Sequence, residues 1–479
     1  MKAGDDQLAF ASIGEIGKLF RRRKLSPLEL TKFLLERIAK LNPALKAYLT
    51  VSEELAIQQA ARAESELCSR TRGESRRDRG PLHGIPISVK DNIYTKDIRT
   101  TGGSKILEKF VPLRDAPVVT SLKNAGAVIL GKTNMHEFAY GVTTENPHFG
   151  PTRNPWDLQR IAGGSSGGSA AALAAGLCFG GIGTDTGGSI RIPASLCGVV
   201  GLKPGVGRVN AEDVIPLSTT LDCVGPLART VEDAALVLDA ILVRRKNERK
   251  LSPGRLSSTR VRRPRLGIPK EFFLEILDGE VQAAFEVALR FLKKRGARFK
   301  EVSIPQLLET EDAGNQIAWS EALLYHQQAG WFPEYAADYG EDVRARLEMG
   351  TKVTAVSYLR ARQVRAKFIE SFRRVLVSNE LDALVVPTTP ITATRIGEES
   401  VSIEGVAHPV RALLLRLNRP ANLAGVPAIS VPCGLTKGGL PVGLQFIAAW
   451  NDEYLLLEIA RGFEQECPPP GRPDLDALN

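Results

Sequence analysis

Gly163-Gly164-Ser165-Ser166-Gly167-Gly168-Ser169 opens the densest stretch of this 479-residue chain. It runs into Ala170-Ala171-Ala172-Leu173, then through Phe179-Gly180-Gly181-Ile182-Gly183 to a second small-residue loop, Thr184-Asp185-Thr186-Gly187-Gly188-Ser189-Ile190-Arg191. Loop, helix-forming alanines, short apolar run and loop again is the order of one α/β unit. The alternation continues in both directions. Strand-like runs lie at 85–89, 127–130, 179–183, 266–268, 383–386, 428–431 and 442–447. Helical patterns lie at 170–177, 231–243, 279–295 and 358–377. The expectation is an α/β fold.

Away from this core the pattern changes. Residues 8–67 read as helices, with Ser26-Pro27 as a cap and first turn ahead of Leu28, Leu30, Leu34 and Leu35. Residues 305–350 lack a strand pattern but hold Trp319, Tyr325, Trp331, Phe332, Tyr335 and Tyr339 in a chain that is only 6% aromatic. They predict a helical, lid-like insertion extending to about 380, packed as a local core in preference to lidding a pocket. The tail 468–479 reads as disordered, and no internal repeat is found.

Hydrophobic residues at 43% against 24% charged exclude a disordered chain. The net charge of +9 invites a nucleic-acid reading, but its location argues against one. Residues 244–265 carry +9 and residues 70–79 carry +3, leaving the rest near −3. Both runs read as solvated surface, so nucleic acid is not an expected partner. Six scattered cysteines form no C-x-x-C pair and read as reduced, buried groups. The acidic N-terminus is unlike a signal peptide, and no run approaches the ~20 apolar residues of a membrane span. A cytoplasmic protein with no membrane contact is expected. His83, His136, His148, His326 and His408 show no ligand spacing, so neither metal nor cofactor is expected.

The Ser165 loop lacks the Lys-Ser/Thr ending of a phosphate-binding loop. It fits G-x-S-x-G, but the polar Asn154–Arg160 stretch before it is not the strand a nucleophile elbow requires. A third reading joins it to Ser189 and to Gly84-Ile85-Pro86-Ile87-Ser88-Val89-Lys90-Asp91-Asn92, where Lys90 ends an apolar strand. A Ser–Ser–Lys hydrolase needs these parts. A serine hydroxyl attacks only when a neighbour takes its proton, and a lysine can do so only when burial keeps it neutral.

These motifs, in this order and spacing, resemble the amidase signature family. The resemblance extends through Gly131-Lys132-Thr133-Asn134-Met135, Gly198–Pro204, Asn422-Leu423-Ala424-Gly425-Val426-Pro427-Ala428 and Gly439–Gln445. It implies a single domain over 1–479 with a large mixed β-sheet flanked by helices on both faces. It further implies Ser189 as nucleophile, Ser165 as relay held by a cis peptide bond, and Lys90 as base. Thr186, Gly187 and Gly188 would form the oxyanion hole. Tyr140, Gly141 and Val142 would line the acyl pocket, capped by Trp319 or Trp331. Asp185 and Arg191 read as a local ion pair shaping the loop.

The family includes free-standing amidases and the glutaminase component of the aminoacyl-tRNA amidotransferase, its A subunit. In that glutaminase, an Asp five positions before the Pro-x-Asn-Leu-Ala-Gly motif holds the glutamine amino group. This chain has Leu415 there, while Arg346 matches the arginine that holds the glutamine carboxylate. Leu415 points to a less polar substrate. The expectation is a free-standing amidase for an apolar or aryl amide, with carbamate (urethane) or ester hydrolysis also within its chemistry. The glutaminase of the amidotransferase is the alternative, and a homodimer is kept open.

Overall fold

The computed structural model describes residues 7–68, 78–244 and 263–475. Residues 70–77 and 245–262, and with them most of both basic runs, lie outside the described residues.

One mixed sheet of 11 strands organises the chain. In chain order the strands are β1 (Tyr48–Val51), β2 (Pro86–Lys90), β3 (Val128–Thr133), β4 (Gly180–Asp185), β5 (Val200–Lys203), β6 (Cys223–Ala228), β7 (Arg265–Pro269), β8 (Arg298–Val302), β9 (Ala383–Pro387), β10 (Ala428–Leu435) and β11 (Pro441–Ile447). Their order in space is β1-β3-β2-β4-β6-β5-β10-β11-β9-β7-β8. Strands β3, β2 and β4 run parallel, as do β9, β7 and β8, and the pairs between these blocks are antiparallel.

Helices cover both faces. Successive residues of a strand point to opposite sides, and β4 shows what each side meets. A Cβ on Gly180 would lie 3.0 Å from Val237, in the helix Val231–Ile241. A Cβ on Gly181 would lie 3.4 Å from Ser169 and 3.5 Å from Leu173, in the helix Gly167–Ala174. Sandwiching explains why β2, β3 and β4 are buried at every position, and why they read as continuous apolar or small runs.

All seven expected strands are present. Strands β1, β5, β6 and β8 escaped the sequence reading. The N-terminal region is not all helix: after Pro27–Leu45, capped by the reciprocal Ser26–Glu29 box, the chain forms edge strand β1. The described part of the tail, 468–475, departs from its expected disorder, because Leu475 is buried in the main core and Arg472 lies 4.4 Å from the Phe10 ring centre; residues 476–479 lie outside the described residues. The insertion packs as a local core. Helices Thr310–Gln328 and Glu341–Thr351 close a second apolar cluster, in which Trp331 stacks on Phe138 at 5.2 Å and His326 donates to or accepts from Tyr339 Oη at 2.7 Å. Among the described residues no helix is long and apolar enough to cross a membrane.

Candidate active site

The site lies at the carboxyl ends of β2 and β4, where two parallel strands release their loops. Lys90 is the last residue of β2 and is fully buried. Its Nζ is 2.7 Å from Ser165 Oγ and 2.6 Å from Thr184 Oγ1, on neighbouring β4. Burial lowers its pKa from 10.5 to about 7, against the opposing charges of Asp222 and Asp185. Much of the amine is therefore neutral at neutral pH.

Ser165 follows a cis Gly164–Ser165 peptide bond. Its loop is pinned on several sides. Its carbonyl accepts from His136 N at 3.2 Å, and Ser166 N donates to the Ser189 carbonyl at 3.1 Å. Ser166 Oγ meets the backbone of Thr184. Gly168 shows why the loop is made of small residues: a Cβ there would lie 2.5 Å from the Ala47 carbonyl oxygen and from the backbone of Asn134. Lys90 and Ser165 are thus brought together, and Ser166 N ties the Ser189 backbone to the same loop.

The Ser189 loop is built around the expected Asp185–Arg191 pair. Both side chains are fully buried, with Arg191 Nε donating to Asp185 Oδ2 at 3.0 Å and Nη2 to Oδ1 at 2.9 Å. Burial alone would raise the Asp185 pKa, but the Arg191 guanidinium outweighs it and holds the carboxyl well below its usual range. Asp185 also accepts from Ile190 N at 3.2 Å and Asn422 Nδ2 at 2.9 Å. Arg191 reaches the Asn418 carbonyl, Gln445 Oε1 and Asn422 Oδ1 at 2.9, 2.6 and 2.6 Å. A buried guanidinium with this many acceptors fixes the loop from below.

That scaffold corrects one expected role. The Gly188 N–H donates to Asp185 Oδ1 at 2.8 Å, so it is not free for an oxyanion. Gly188 is instead required by its backbone, with φ +124° and space for a Cβ closed by Asn418 Cβ at 2.6 Å. The N–H groups of Thr186, Gly187 and Ser189 donate to no acceptor among the described residues. Ser189 itself retains 4% exposure beside the wholly buried Ser165.

The sequence reading missed two groups near Lys90. Thr184 is the second partner of Lys90. Asp222 accepts from Thr186 Oγ1 and from the N–H groups of Leu217 and Ser218, and burial raises its pKa to about 6. Thr184 stood inside the Thr184–Arg191 loop without a role of its own, and Asp222 had no signal, because its closeness to Lys90 arises only in the folded chain.

The expected pocket residues divide. Tyr140 is buried, and its carbonyl accepts from Arg346 Nη1 at 2.6 Å. Val142 and Leu415 join one apolar cluster with Ile192 and Leu196, and a Cβ on Gly187 would lie 3.0 Å from Leu415 Cδ2. At Gly141 a side chain is excluded, because a Cβ there would strike the His136 ring at 2.1 Å. Trp319 and Trp331 belong to the insertion's cluster around Phe138, which also holds Tyr140, and neither lines the cavity beside Gly187. That cavity, about 160 Å³, is not apolar: with Leu415 it is lined by Arg411, Arg416 and Arg419.

Comparison with known proteins places the chain in a family. The family profile named Amidase matches residues 29–457. The chain belongs to the amidase family. A curated relative from Carboxydothermus hydrogenoformans, the A subunit of glutamyl-tRNA(Gln) amidotransferase, is 40% identical, covering 96% of this chain and 98% of its own. Among solved amidase-fold structures, one described as a vestigial protein complex revealing the origins of an s-triazine catabolic enzyme superposes with a TM-score of 0.88. It is 34% identical and covers 97% of this chain and 100% of its own. Native peptide amidase from Stenotrophomonas maltophilia gives 0.82 at 32% identity, covering 97% and 99%. The A subunit of the Thermotoga maritima amidotransferase gives 0.76 at 36% identity, covering 96% of each chain. Among the described residues no group of three or more His, Cys, Asp or Glu is placed to hold a metal ion.

Proposed function

We propose that the chain hydrolyses the C–N bond of a small amide through an acyl-enzyme on Ser189. The observation that carries this reading is the buried Lys90 amine, held 2.7 Å from Ser165 Oγ with its pKa lowered to about 7. Neutral Lys90 donates to Thr184 and takes a proton from Ser165, which takes one from Ser189. The Ser189 oxygen bonds to the amide carbon. The N–H groups of Thr186, Gly187 and Ser189 stabilise the resulting oxyanion. The proton returns through Ser165 to the leaving nitrogen as the C–N bond breaks, and water then releases the acid by the same route in reverse.

The test is turnover of a panel of amides by the purified chain and by Ser189→Ala. A folded Ser189→Ala protein that kept wild-type rates would end the nucleophile assignment.

A second reading makes the chain the glutaminase component of an aminoacyl-tRNA amidotransferase. The 40% identity to the A subunit of such an enzyme, over nearly the whole chain, favours it over a free-standing enzyme for apolar or aryl amides. The arginine lining of the cavity points the same way. This reading predicts glutamine hydrolysis that rises when the other amidotransferase components are added. Ready turnover of other amides with no activity on glutamine, alone or with those components, would refute it.

A further inference from the structure

We propose that Arg411 and Arg419 form an anion subsite that selects amides carrying a carboxylate at the far end and no ammonium group. This inference rests on the amidase reading for the reaction that the subsite serves. Both arginines line the cavity beside the Ser189 loop. Contact with that loop is direct: a Cβ on Gly187 would lie 3.0 Å from Leu415 Cδ2 and 4.0 Å from Arg419 Nε.

The surrounding carboxylates are already used or turned outward. Asp342 holds His136 at 2.8 Å and Arg346 at 2.6 Å. Glu275 holds Arg416 at 2.9 Å. Glu311 is exposed, and Arg419 reaches only its backbone carbonyl at 3.1 Å and Asn315 Oδ1 at 2.9 Å. Arg411 makes no hydrogen bond or ion pair with a described residue, and its Nε is a buried donor without a partner. The Tyr140 hydroxyl nearby is also buried and unpartnered. Enclosure, and then the charges of Arg346 and Arg419, press the Arg411 pKa down to about 9.

An unpaired guanidinium inside a protein costs free energy that a bound anion recovers. Guanidinium matches a carboxylate through two parallel N–H donors, and the Tyr140 hydroxyl supplies one more. In the same cavity, apolar Leu415 offers nothing to an ammonium. The placement of charge therefore favours glutaramate, which is glutamine without its amino group, over both glutamine and uncharged pentanamide.

The experiment separates binding from turnover. The Ser189→Ala protein is titrated calorimetrically with glutaramate, glutamine and pentanamide, and the same three are offered as substrates to the active enzyme. Glutaramate is expected to bind most tightly. Arg411→Gln or Arg419→Gln should each weaken it about tenfold to hundredfold, as for loss of a charge-assisted contact. Arg411→Lys should recover part of the loss. In turnover, the preference for glutaramate over pentanamide should collapse by the same factor in the Gln variants. Equal binding of glutaramate and pentanamide to Ser189→Ala overturns the proposal without use of the arginine variants. So does preference for glutamine over glutaramate. Tight glutaramate binding that depends on Arg411, with no amide turned over, supports the subsite and counts only against the amidase reading.

Discussion

Replacing Lys90 by Met tests whether burial is what makes this lysine a base. The amine has no exposure, and burial takes its pKa from 10.5 to about 7. That gap corresponds to about 5 kcal/mol of stability withheld from the fold when the lysine must be charged. The sign follows from proton counts. The unfolded chain holds this proton up to about pH 10.5, whereas the folded chain releases it near 7. Between those values the unfolded state binds more protons, so stability rises with pH, by at most about 1.4 kcal/mol per pH unit. Below pH 7 both states are protonated and the full penalty stands. Methionine has no proton to lose. Its absolute stability also reflects the Ser165 and Thr184 hydroxyls it leaves without an amine, so the informative quantity is the slope. Guanidinium unfolding at pH 7, 8 and 9 should show the wild type gaining about 2 kcal/mol relative to Lys90→Met across that range. Measured from pH 5 to 9, wild-type kcat/KM on an amide should be half-maximal near pH 7 and fall about tenfold per unit well below it. Lys90→Met should lose at least ~100-fold in rate at pH 8 and above, and the gap should narrow as pH falls below 7. Parallel stability curves for the two proteins, or a wild-type rate limb centred at pH 9 or above, would refute the reasoning.

Three further substitutions probe the loop and the pocket. Asp185→Ala leaves the buried Arg191 guanidinium without its carboxylate and should cost about 3–5 kcal/mol in denaturant unfolding; an unchanged midpoint would deny the pair its structural role. Gly188→Ala must place a Cβ 2.6 Å from Asn418 Cβ at φ +124°, so kcat should fall ~100-fold or more in a protein whose circular dichroism is native. Wild-type kinetics would show that the loop gives way. Leu415→Asp puts a carboxylate against Gly187 and should shift the glutamine-to-glutaramate ratio of kcat/KM towards glutamine by about tenfold to hundredfold. An unchanged ratio would place the amino group elsewhere.

What could be read from the sequence follows from how local each signal is. Lys90, Ser165 and Ser189 each sit in a small-residue or strand-end motif, and a close approach of backbones leaves few other residues that fit. Gly168 against the Ala47 carbonyl is such a case. Strands buried on both faces announce themselves as short apolar runs, which makes β2, β3 and β4 legible. Strand β8, with the sequence Arg298-Phe299-Lys300-Glu301-Val302 and mostly solvent-facing, carries no such run. Strand β1, at the opposite edge, is also half exposed. The Gly188 assignment went astray for a different reason. Glycine shows that a backbone approach is close, but not which way the N–H points, and Asp185 claims it.

Support and selectivity meet in one short piece of chain. The helices Val410–Arg416 and Arg419–Ala424, with Asn418 between them, present two sets of side chains. The Asn418 carbonyl and Asn422 turn inward to Arg191 and so hold the Ser189 loop. Arg411, Leu415 and Arg419 face the cavity where a substrate's far end would lie. Their exchange alters charge in the pocket without touching the Asp185–Arg191 core. A fold arranged this way can change the charge of this cavity by a few substitutions on one face of these helices while the Lys90–Ser165 contact and the Ser189 loop stay fixed. The arrangement accounts for a chain that is 40% identical to a component of glutamyl-tRNA(Gln) amidotransferase yet has leucine where a carboxylate for the glutamine amino group is expected. It also makes Leu415→Asp and Arg411→Gln the pair of changes most able to move this protein between substrate classes without unfolding it.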